Sequence, residues 1–172
     1  SWGSGTQGRL GDGNTANRNL PYKIVDSNVT AISSADVHLQ FLKNDGSAWA
    51  LGTNWNRMLG DGTVTHRSTP VKIIDKNVTA VIAGSRNSFF IKKDGTLWGS
   101  GMGKQGALGF DTVNDVGFPM LIAGNVDHAF GSYEAVLFSR KNEGVFLLGN
   151  DRPLKSGSGG QLQQFKPLRT FD

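Results

Sequence analysis

A repeat of about 49 residues constrains this chain more than any other feature. Pro21, Pro70 and Pro119 are 49 residues apart, and so are Gly46, Gly95 and Gly144. Other landmarks keep the same register: Leu10-Gly-Asp-Gly13 recurs as Leu59-Gly-Asp-Gly62 and, altered, as Leu108-Gly-Phe-Asp111, while Asn28-Val-Thr30 recurs as Asn77-Val-Thr79 and Asn125-Val-Asp127. Periods of roughly 20 to 50 residues indicate solenoids, propellers or arrays.

The local pattern within one period predicts short strands. Residues 78–82 and 89–92 are β-branched or aromatic runs that are too short for helices. Residues 93–95, Lys-Asp-Gly, are typical of a tight hairpin turn, and residues 96–98 follow as a third strand. A fourth, outer strand is expected at residues 119–122, with its proline at the start of an edge strand.

Four strands per period predict an all-β fold, a β-propeller of four-stranded antiparallel blades. Residues 1–172 would form a single repeat array. The expected divisions are the outer half of a blade at 2–26, blades at 28–75 and 77–123, and an atypical C-terminal blade at 125–172. Three and a half blades do not close a ring and leave open edges. We therefore expect a partial propeller that is half of a larger protein, or self-association of two copies through those edges.

The motif order makes the resemblance specific. Trp-Gly-Ser-Gly at residues 98–101 is followed by Gly-x-Leu-Gly, by a proline, and by Lys-x-Asp-Gly in the hairpin. This order resembles the repeat of the regulator of chromosome condensation family, whose members are seven-bladed propellers. The resemblance implies half of a seven-bladed ring and a protein partner, with a small GTPase as one candidate. The close agreement between repeats resembles bacterial members, which favours a bacterial and exported or cell-surface protein, although the compartment itself stays unknown.

Composition excludes several function classes. The chain has no cysteine, so disulfides, thiolate zinc sites and cysteine nucleophiles are ruled out. The 18 Lys and Arg residues are scattered and the net charge is +4, which makes nucleic acid an unlikely partner. No apolar run is long enough to span a membrane. His38, His66 and His128 fall at three different phases of the repeat, and no metal site is expected.

Two motifs that could indicate chemistry are better explained by the repeat. Gly3–Gly8 and Gly101–Gly106 fit the G-x-G-x-x-G pattern of dinucleotide sites, but no βαβ unit surrounds them. Ser33, Asp36 and His38 could be assembled into a triad, yet they lie on one short segment without a nucleophile elbow. We therefore expect no enzyme activity, no catalytic residues and no cofactor.

Register also assigns two structural roles. Trp2, Trp49 and Trp98 occupy one repeat position, which predicts that they pack within the blades. Asp12 and Asp61 of the Leu-Gly-Asp-Gly turns are expected to accept hydrogen bonds from their own loop backbone.

The loop between the first two strands of each blade varies while the strands around it repeat. Aligned, these loops are Asp36-Val-His38, Ser85-Arg-Asn87 and Ser132-Tyr-Glu134, and Trp55 with Arg57 forms a second off-register element. Such variation is typical of a scaffold that carries a specific surface. The predicted partner-binding residues are Asp36, His38, Trp55, Arg57, Arg86, Asn87, Tyr133 and Glu134.

Three functions fit these features. The first is a non-enzymatic scaffold that binds a protein through variable loops on one face. The second, implied by the founding member of the resembled family, is guanine-nucleotide exchange on a small GTPase. The third is a secreted or surface repeat protein that binds a glycan or another ligand through its polar, Asn- and Trp-bearing loops.

Overall fold

The computed structural model describes residues 1–110, 114–132, 135–150 and 161–167. Twelve strands lie within these ranges: β1 Val29–Ser34, β2 His38–Lys43, β3 Ala48–Gly52, β4 Arg67–Ile74, β5 Val78–Ala83, β6 Asn87–Lys92, β7 Leu97–Gly101, β8 Val116–Ala123, β9 Val126–Gly131, β10 Ala135–Arg140, β11 Gly144–Asn150 and β12 Gln161–Pro167. Two short 3-10 turns occupy Thr6–Gly8 and Lys104–Gly106. In the described part of the chain, no helix is long and apolar enough to cross a membrane.

The strands form three four-stranded sheets in chain order. The first sheet is β1-β2-β3-β4, the second β5-β6-β7-β8 and the third β9-β10-β11-β12. Every strand pairs antiparallel with the next strand of its sheet. The sequence prediction of an all-β chain built from four-stranded antiparallel units is therefore confirmed. Residues 151–160 of the predicted atypical C-terminal blade lie outside the described residues.

The outer strands begin earlier than the sequence suggested. Strand β8 starts at Val116, three residues before Pro119, so the expectation that the proline opens the strand was wrong. The pairing of β7 with β8 shifts register between Gly99 and Gly101, and Pro119 lies in the irregular stretch that results. A bulge tolerates proline because its missing N–H would not have joined a regular ladder.

The hairpins explain why Asp, a hydroxyl residue (Ser or Thr) and Trp recur together. Asp94 accepts hydrogen bonds from the backbone N–H of Thr96 at 3.0 Å and from its hydroxyl at 2.6 Å. The Thr96 hydroxyl in turn accepts the indole N–H of Trp98 at 2.7 Å. Hydrogen bonds lower the pKa of Asp94, and the bond from the Thr96 hydroxyl has the largest effect. The first sheet repeats this chain with Asp45, Ser47 and Trp49.

Backbone hydrogen bonds join each sheet to the preceding hairpin. Val78 N–H donates to the carbonyl of Gly46 at 3.0 Å, and Val126 N–H donates to the carbonyl of Gly95 at 2.8 Å. The residue before each valine is an asparagine with positive φ, 66° at Asn77 and 57° at Asn125. Asparagine tolerates this left-handed conformation better than most residues. The Asn-Val repeat thus marks the step from one sheet to the next.

Apolar side chains fill the spaces between neighbouring sheets. We call the contact of the first and second sheets the first junction and that of the second and third sheets the second junction. The apolar cluster of the first junction contains Leu42, Ala48, Val78, Val81 and Phe90, with Trp98 packed against it. The larger cluster of the second junction includes Phe89, Leu97, Leu108, Val136, Phe138 and Leu148. The core therefore runs between sheets, as stacked repeats require.

Residues 1–28 contain no strand. Gly3 and Arg18 instead form an isolated bridge, with N–H to carbonyl distances of 2.8 and 2.9 Å. Trp2 is 65% exposed, so the prediction that it packs within a blade was wrong. Trp49 and Trp98 are half-buried, and Trp49 stacks on Phe41 with ring centroids 6.1 Å apart. The three tryptophans share a register but differ in burial, because the packing neighbours at that position differ.

Candidate interaction rim

Antiparallel order places two kinds of connection at opposite ends of each sheet. The β1–β2 and β3–β4 connections share one end, where Thr53 N–H donates to the carbonyl of Val37 at 2.9 Å. Met102 N–H and the carbonyl of Arg86 repeat this contact at 3.1 Å in the second sheet. We call this end the loop rim. The other end carries the Asp-Gly hairpins and is called the hairpin rim.

A buried asparagine organises the long loop between β3 and β4. Asn54 is fully buried, and its side-chain amide donates to Asp61 at 2.9 Å and to the carbonyl of Thr63 at 3.0 Å. Its side-chain oxygen accepts the N–H of Leu59 at 3.0 Å. The backbone N–H of Asn54 donates to Nδ1 of His66 at 3.0 Å. This loop is held in one conformation by its own polar groups.

The role of His66 is repeated by other residues in the neighbouring loops. Asn17 accepts the N–H of Gly5 at 3.1 Å, and Asp115 accepts the N–H of Gly103 at 3.3 Å. Asn17, His66 and Asp115 are 49 residues apart. The sequence analysis did not find this position because three different residue types supply the same acceptor. His66 therefore serves the loop backbone.

The Leu-Gly-Asp-Gly aspartates bind their own loops, as predicted. Asp61 accepts the N–H of Thr63 at 3.0 Å and forms an ion pair with Arg67 at 2.6 Å. Burial raises the pKa of Asp61, but hydrogen bonds from Thr63, Arg67 and Asn54 outweigh it and leave the pKa below its usual value. Asp12 pairs in the same way with Arg18, which is the first cause of its lowered pKa.

Two predicted contact residues are exposed together on the loop rim. Asp36 accepts a hydrogen bond from the hydroxyl of Ser85 at 3.5 Å, which links the first sheet to the second. Arg86, the next residue, is exposed and its guanidinium reaches the sulfur of Met102 at 3.7 Å. Arg9 adds a second cation, which donates to the backbone carbonyl of Asp36 at 3.4 Å. The rim thus presents charged side chains on a hydrogen-bonded framework.

Burial removes two other predicted contact residues from this surface. His38 and Asn87 are each only 2% exposed, because strands β2 and β6 direct them between the sheets. The amide of Asn87 donates to the carbonyl of Met102 at 2.9 Å, and Nε2 of His38 lies 3.2 Å from the hydroxyl of Ser88. Burial lowers the pKa of His38 to about 4. His38 is neutral at pH 7 and belongs to the first junction.

The structure also corrects the alignment of the third loop. Ala35 N–H bonds to the carbonyl of His38, Gly84 N–H to that of Asn87, and Ser132 N–H to that of Ala135. Pairing with the next strand agrees, since the partners are His38 with Gly52, Asn87 with Gly101 and Ala135 with Gly149. Ala135, one residue after Glu134, therefore corresponds to His38. The candidates Tyr133 and Glu134 lie outside the described residues.

Trp55 and Arg57 occupy the loop that Asn54 organises. Trp55 is 61% exposed and touches His66 edge-on, with ring centroids 5.4 Å apart. Arg57 has a φ of 58°, and its guanidinium donates to the carbonyl of Gly62 at 2.9 Å. Val64 and Phe118, which the sequence analysis did not single out, are 53% and 66% exposed at the same rim. The loop therefore presents an aromatic surface beside a cation.

The hairpin rim carries a surface depression of about 550 Å³, with Asp75, Lys76, Asn77, Lys93 and Asp94 among its lining residues. A second depression of about 310 Å³ lies one repeat earlier and has Asp26 and Asn28 in the same register. Lys92 lies 3.8 Å from the ring centre of Trp98, and Lys43 repeats this contact with Trp49 at 4.7 Å. Because these features recur with the repeat, they are explained by the fold.

The groups considered for chemistry are not assembled. The Ser33 hydroxyl accepts the N–H of Ala83 at 2.9 Å, whereas Asp36 is exposed and His38 is buried against Ser88. The glycine motifs lead into 3-10 turns of three residues. Among the described residues, no group of three or more His, Asp or Glu side chains is placed to hold a metal ion.

Comparison with known proteins identifies the repeat and the fold. Residues 1–41 match the family model described as regulator of chromosome condensation (RCC1) repeat. No curated relative matches the chain at a significant level. Among solved structures, Prp20p from Saccharomyces cerevisiae, whose description includes its binding to Gsp1p and histones, is similar with a TM-score of 0.74 and 22% identity over 88% of this chain and 41% of its own.

Two further structures agree. Yeast RCC1 (Prp20) bound to Kap60 has a TM-score of 0.72 at 18% identity, covering 87% of this chain and 39% of its own. Human WBSCR16 has a TM-score of 0.73 at 19% identity, covering 86% and 41%. This chain thus spans about two fifths of the length of these structures. The predicted repeat type and propeller fold are confirmed, whereas these human and yeast structures give the bacterial assignment no support.

Proposed function

We propose that this chain is a non-enzymatic propeller scaffold that holds a protein partner on its loop rim. One observation carries the proposal: the sheets and the hairpin rim repeat, while the loop rim changes from repeat to repeat. Asp36, Arg86 and Trp55 are exposed there on a framework of internal hydrogen bonds. Prebuilt loops lower the entropic cost of binding, so such a rim suits specific recognition.

The fold relatives suggest which proteins to test first. Prp20p is described with Gsp1p and histones, and yeast RCC1 (Prp20) with Kap60. We expect the immobilised chain to capture Gsp1p, and the double variant Asp36→Ala/Arg86→Ala to weaken that capture by at least about tenfold, as loss of an interface anchor does. The matched control is Lys93→Ala, an exposed cation on the hairpin rim.

Unchanged capture by the double variant, combined with loss of capture by Lys93→Ala, would place the contact on the wrong rim and refute the proposal. Guanine-nucleotide exchange is the alternative, and it is favoured by the fold shared with a Gsp1p-binding protein. It predicts faster release of labelled nucleotide from the GTPase in the presence of this chain. Capture without faster release supports the scaffold, whereas release that depends on Arg86 supports exchange.

A further inference from the structure

Three exposed apolar side chains gather around the loop that links β3 to β4. Trp55, Val64 and Phe118 are 61%, 53% and 66% exposed. The Trp55 ring meets His66, and the Phe118 ring lies directly over Gly62. Val64 lies between Gly62 and His66 along the chain. These three side chains therefore share one area of the loop rim, which we call the apolar patch.

The preceding repeat shows that the fold does not need this patch. The residues 49 positions earlier are Thr6, Thr15 and Thr69. The backbone contact beneath is the same in both repeats: Gly13 N–H donates to the carbonyl of Ser68 at 2.8 Å, and Gly62 N–H donates to that of Gly117 at 2.9 Å. Exposed apolar surface that the fold does not require is typical of an interaction site.

Arg57 lies beside the apolar patch, at a repeat position that glycine occupies in the neighbouring repeats. Arg57 has a φ of 58°, where Gly8 has 74° and Gly106 has 72°. A non-glycine residue is strained in this left-handed region. The guanidinium donates to the carbonyl of Gly62, and no acid among the described residues forms an ion pair with it. Arginine has five N–H donors, so others are available to a ligand.

The surrounding charges define the partner. Asp61 is neutralised by its ion pair with Arg67 at 2.6 Å, whereas Asp115 accepts only the neutral amide of Asn56 at 3.0 Å and keeps its charge. Lys104 is exposed on the same rim, which also exposes Asp36, and the chain as a whole carries +4. Complementarity therefore favours an acidic partner. Tryptophan and arginine together are also the side chains most often found as energetic anchors of protein interfaces.

We propose that the apolar patch and Arg57 form the docking site of an acidic protein segment, which packs an aliphatic or aromatic side chain on Trp55 and Phe118 and pairs a carboxylate with Arg57. The inference rests on the proposed scaffold function and names the chemistry of its partner. A nucleic acid is disfavoured because this loop supplies one cation beside three apolar side chains, whereas phosphate backbones are bound by many cations.

Two dye-labelled peptides test the site by fluorescence anisotropy: Glu-Glu-Leu-Phe-Glu-Glu, and the same peptide with every Glu replaced by Lys. We expect the chain to bind the acidic peptide at least about tenfold more tightly than the basic one. The variant Trp55→Thr/Val64→Thr/Phe118→Thr introduces the residues of the preceding repeat and should weaken that binding at least about tenfold. Arg57→Gly introduces the residue that Gly8 and Gly106 provide at the same repeat position. It should weaken binding of the acidic peptide and leave binding of the basic peptide unchanged.

Ile32→Thr is the control, because Ile32 is 69% exposed on strand β1 outside the patch. Equal binding of both peptides, or unchanged binding by the triple variant with circular dichroism like that of the wild type, overturns the inference. So does a dimer in sedimentation velocity that the triple variant dissolves, since the occupant would then be a second copy. If the chain binds neither peptide but captures Gsp1p through Arg86, the patch is refuted while the scaffold function stands.

Discussion

The two junctions between sheets occupy equivalent places but differ in chemistry. At the first junction, His38 and Gln40 on β2 are directed towards the second sheet, which presents Ser88 and Ser100. The corresponding residues at the second junction are Asn87, Phe89, Val136 and Leu148. All eight residues are at most 2% exposed. At these positions, beside the apolar cluster that each junction has, one backbone arrangement accepts either polar or largely apolar side chains.

This difference has an energetic consequence. At the first junction, Nδ1 of His38, both amide atoms of Gln40 and the hydroxyl of Ser100 have no hydrogen-bond partner among the described protein groups. Buried polar groups without partners each cost about 1–3 kcal/mol. At the second junction, Phe89 packs with Val136 and Leu148 in the largest apolar cluster. We infer that the second junction contributes more to the free energy of unfolding, and that the first junction makes the stability depend more on pH.

The largest expected effect comes from truncating the apolar junction. Phe89→Ala should lower the free energy of unfolding by about 3–5 kcal/mol, because Phe89 is 1% exposed and leaves a cavity. The matched control is Gln40→Ala at the equivalent position, where lost packing is offset by removal of two unpartnered polar atoms. Urea unfolding measures both. Equal losses for the two variants would show that the junctions do not differ in the way proposed.

A smaller effect should appear on acidification. His38 has a folded-state pKa of about 4 and an unfolded value near 6.5, so the unfolded chain binds the proton more readily. The stability contribution that depends on neutral His38 is therefore fully present above pH 6.5. The free energy of unfolding falls by up to about 3 kcal/mol as the pH drops towards 4. His38→Asn introduces the asparagine that the second junction has at the equivalent position. It should reduce the change in the urea unfolding midpoint between pH 6.5 and pH 4.5. If the midpoint of the variant changes with pH as much as that of the wild type, His38 is not the source of the acid sensitivity.

The smallest effect should be a gain in stability at the polar junction. Gln40→Leu keeps a side chain of similar size and removes both unpartnered amide atoms, so it should raise the free energy of unfolding by about 1–2 kcal/mol. Ile91→Leu at the second junction serves as a control for an apolar exchange at a buried site, with a cost below about 1.5 kcal/mol. If Gln40→Leu lowers the free energy of unfolding instead, the side-chain amide of Gln40 has hydrogen-bond partners in solution.

The sequence predicted the fold because its evidence is local and periodic. Short β-branched or aromatic runs, Asp-Gly turns at Gly46 and Gly95, and a common register for Pro70 and Pro119 define strands and their order. Each is a short-range property of the backbone. Strand starts were less certain, as Pro119 shows, because register shifts depend on the neighbouring strand.

The site was predicted only in part, because exposure is decided between sheets. Variation of the loop between repeats marked His38 and Asn87 as contact candidates, yet the stacking of sheets buries both. Val64 and Phe118 looked ordinary in the sequence, although comparison with Thr15 and Thr69 one repeat earlier was an available signal. From residue 29 onwards, the repeat by itself determined which strands form and in what order, whereas residues 2–26, expected as the outer half of a blade, hold only the isolated bridge of Gly3 and Arg18. Only the tertiary structure decided which side chains face a neighbouring sheet and which face a partner, because burial depends on what packs against each residue.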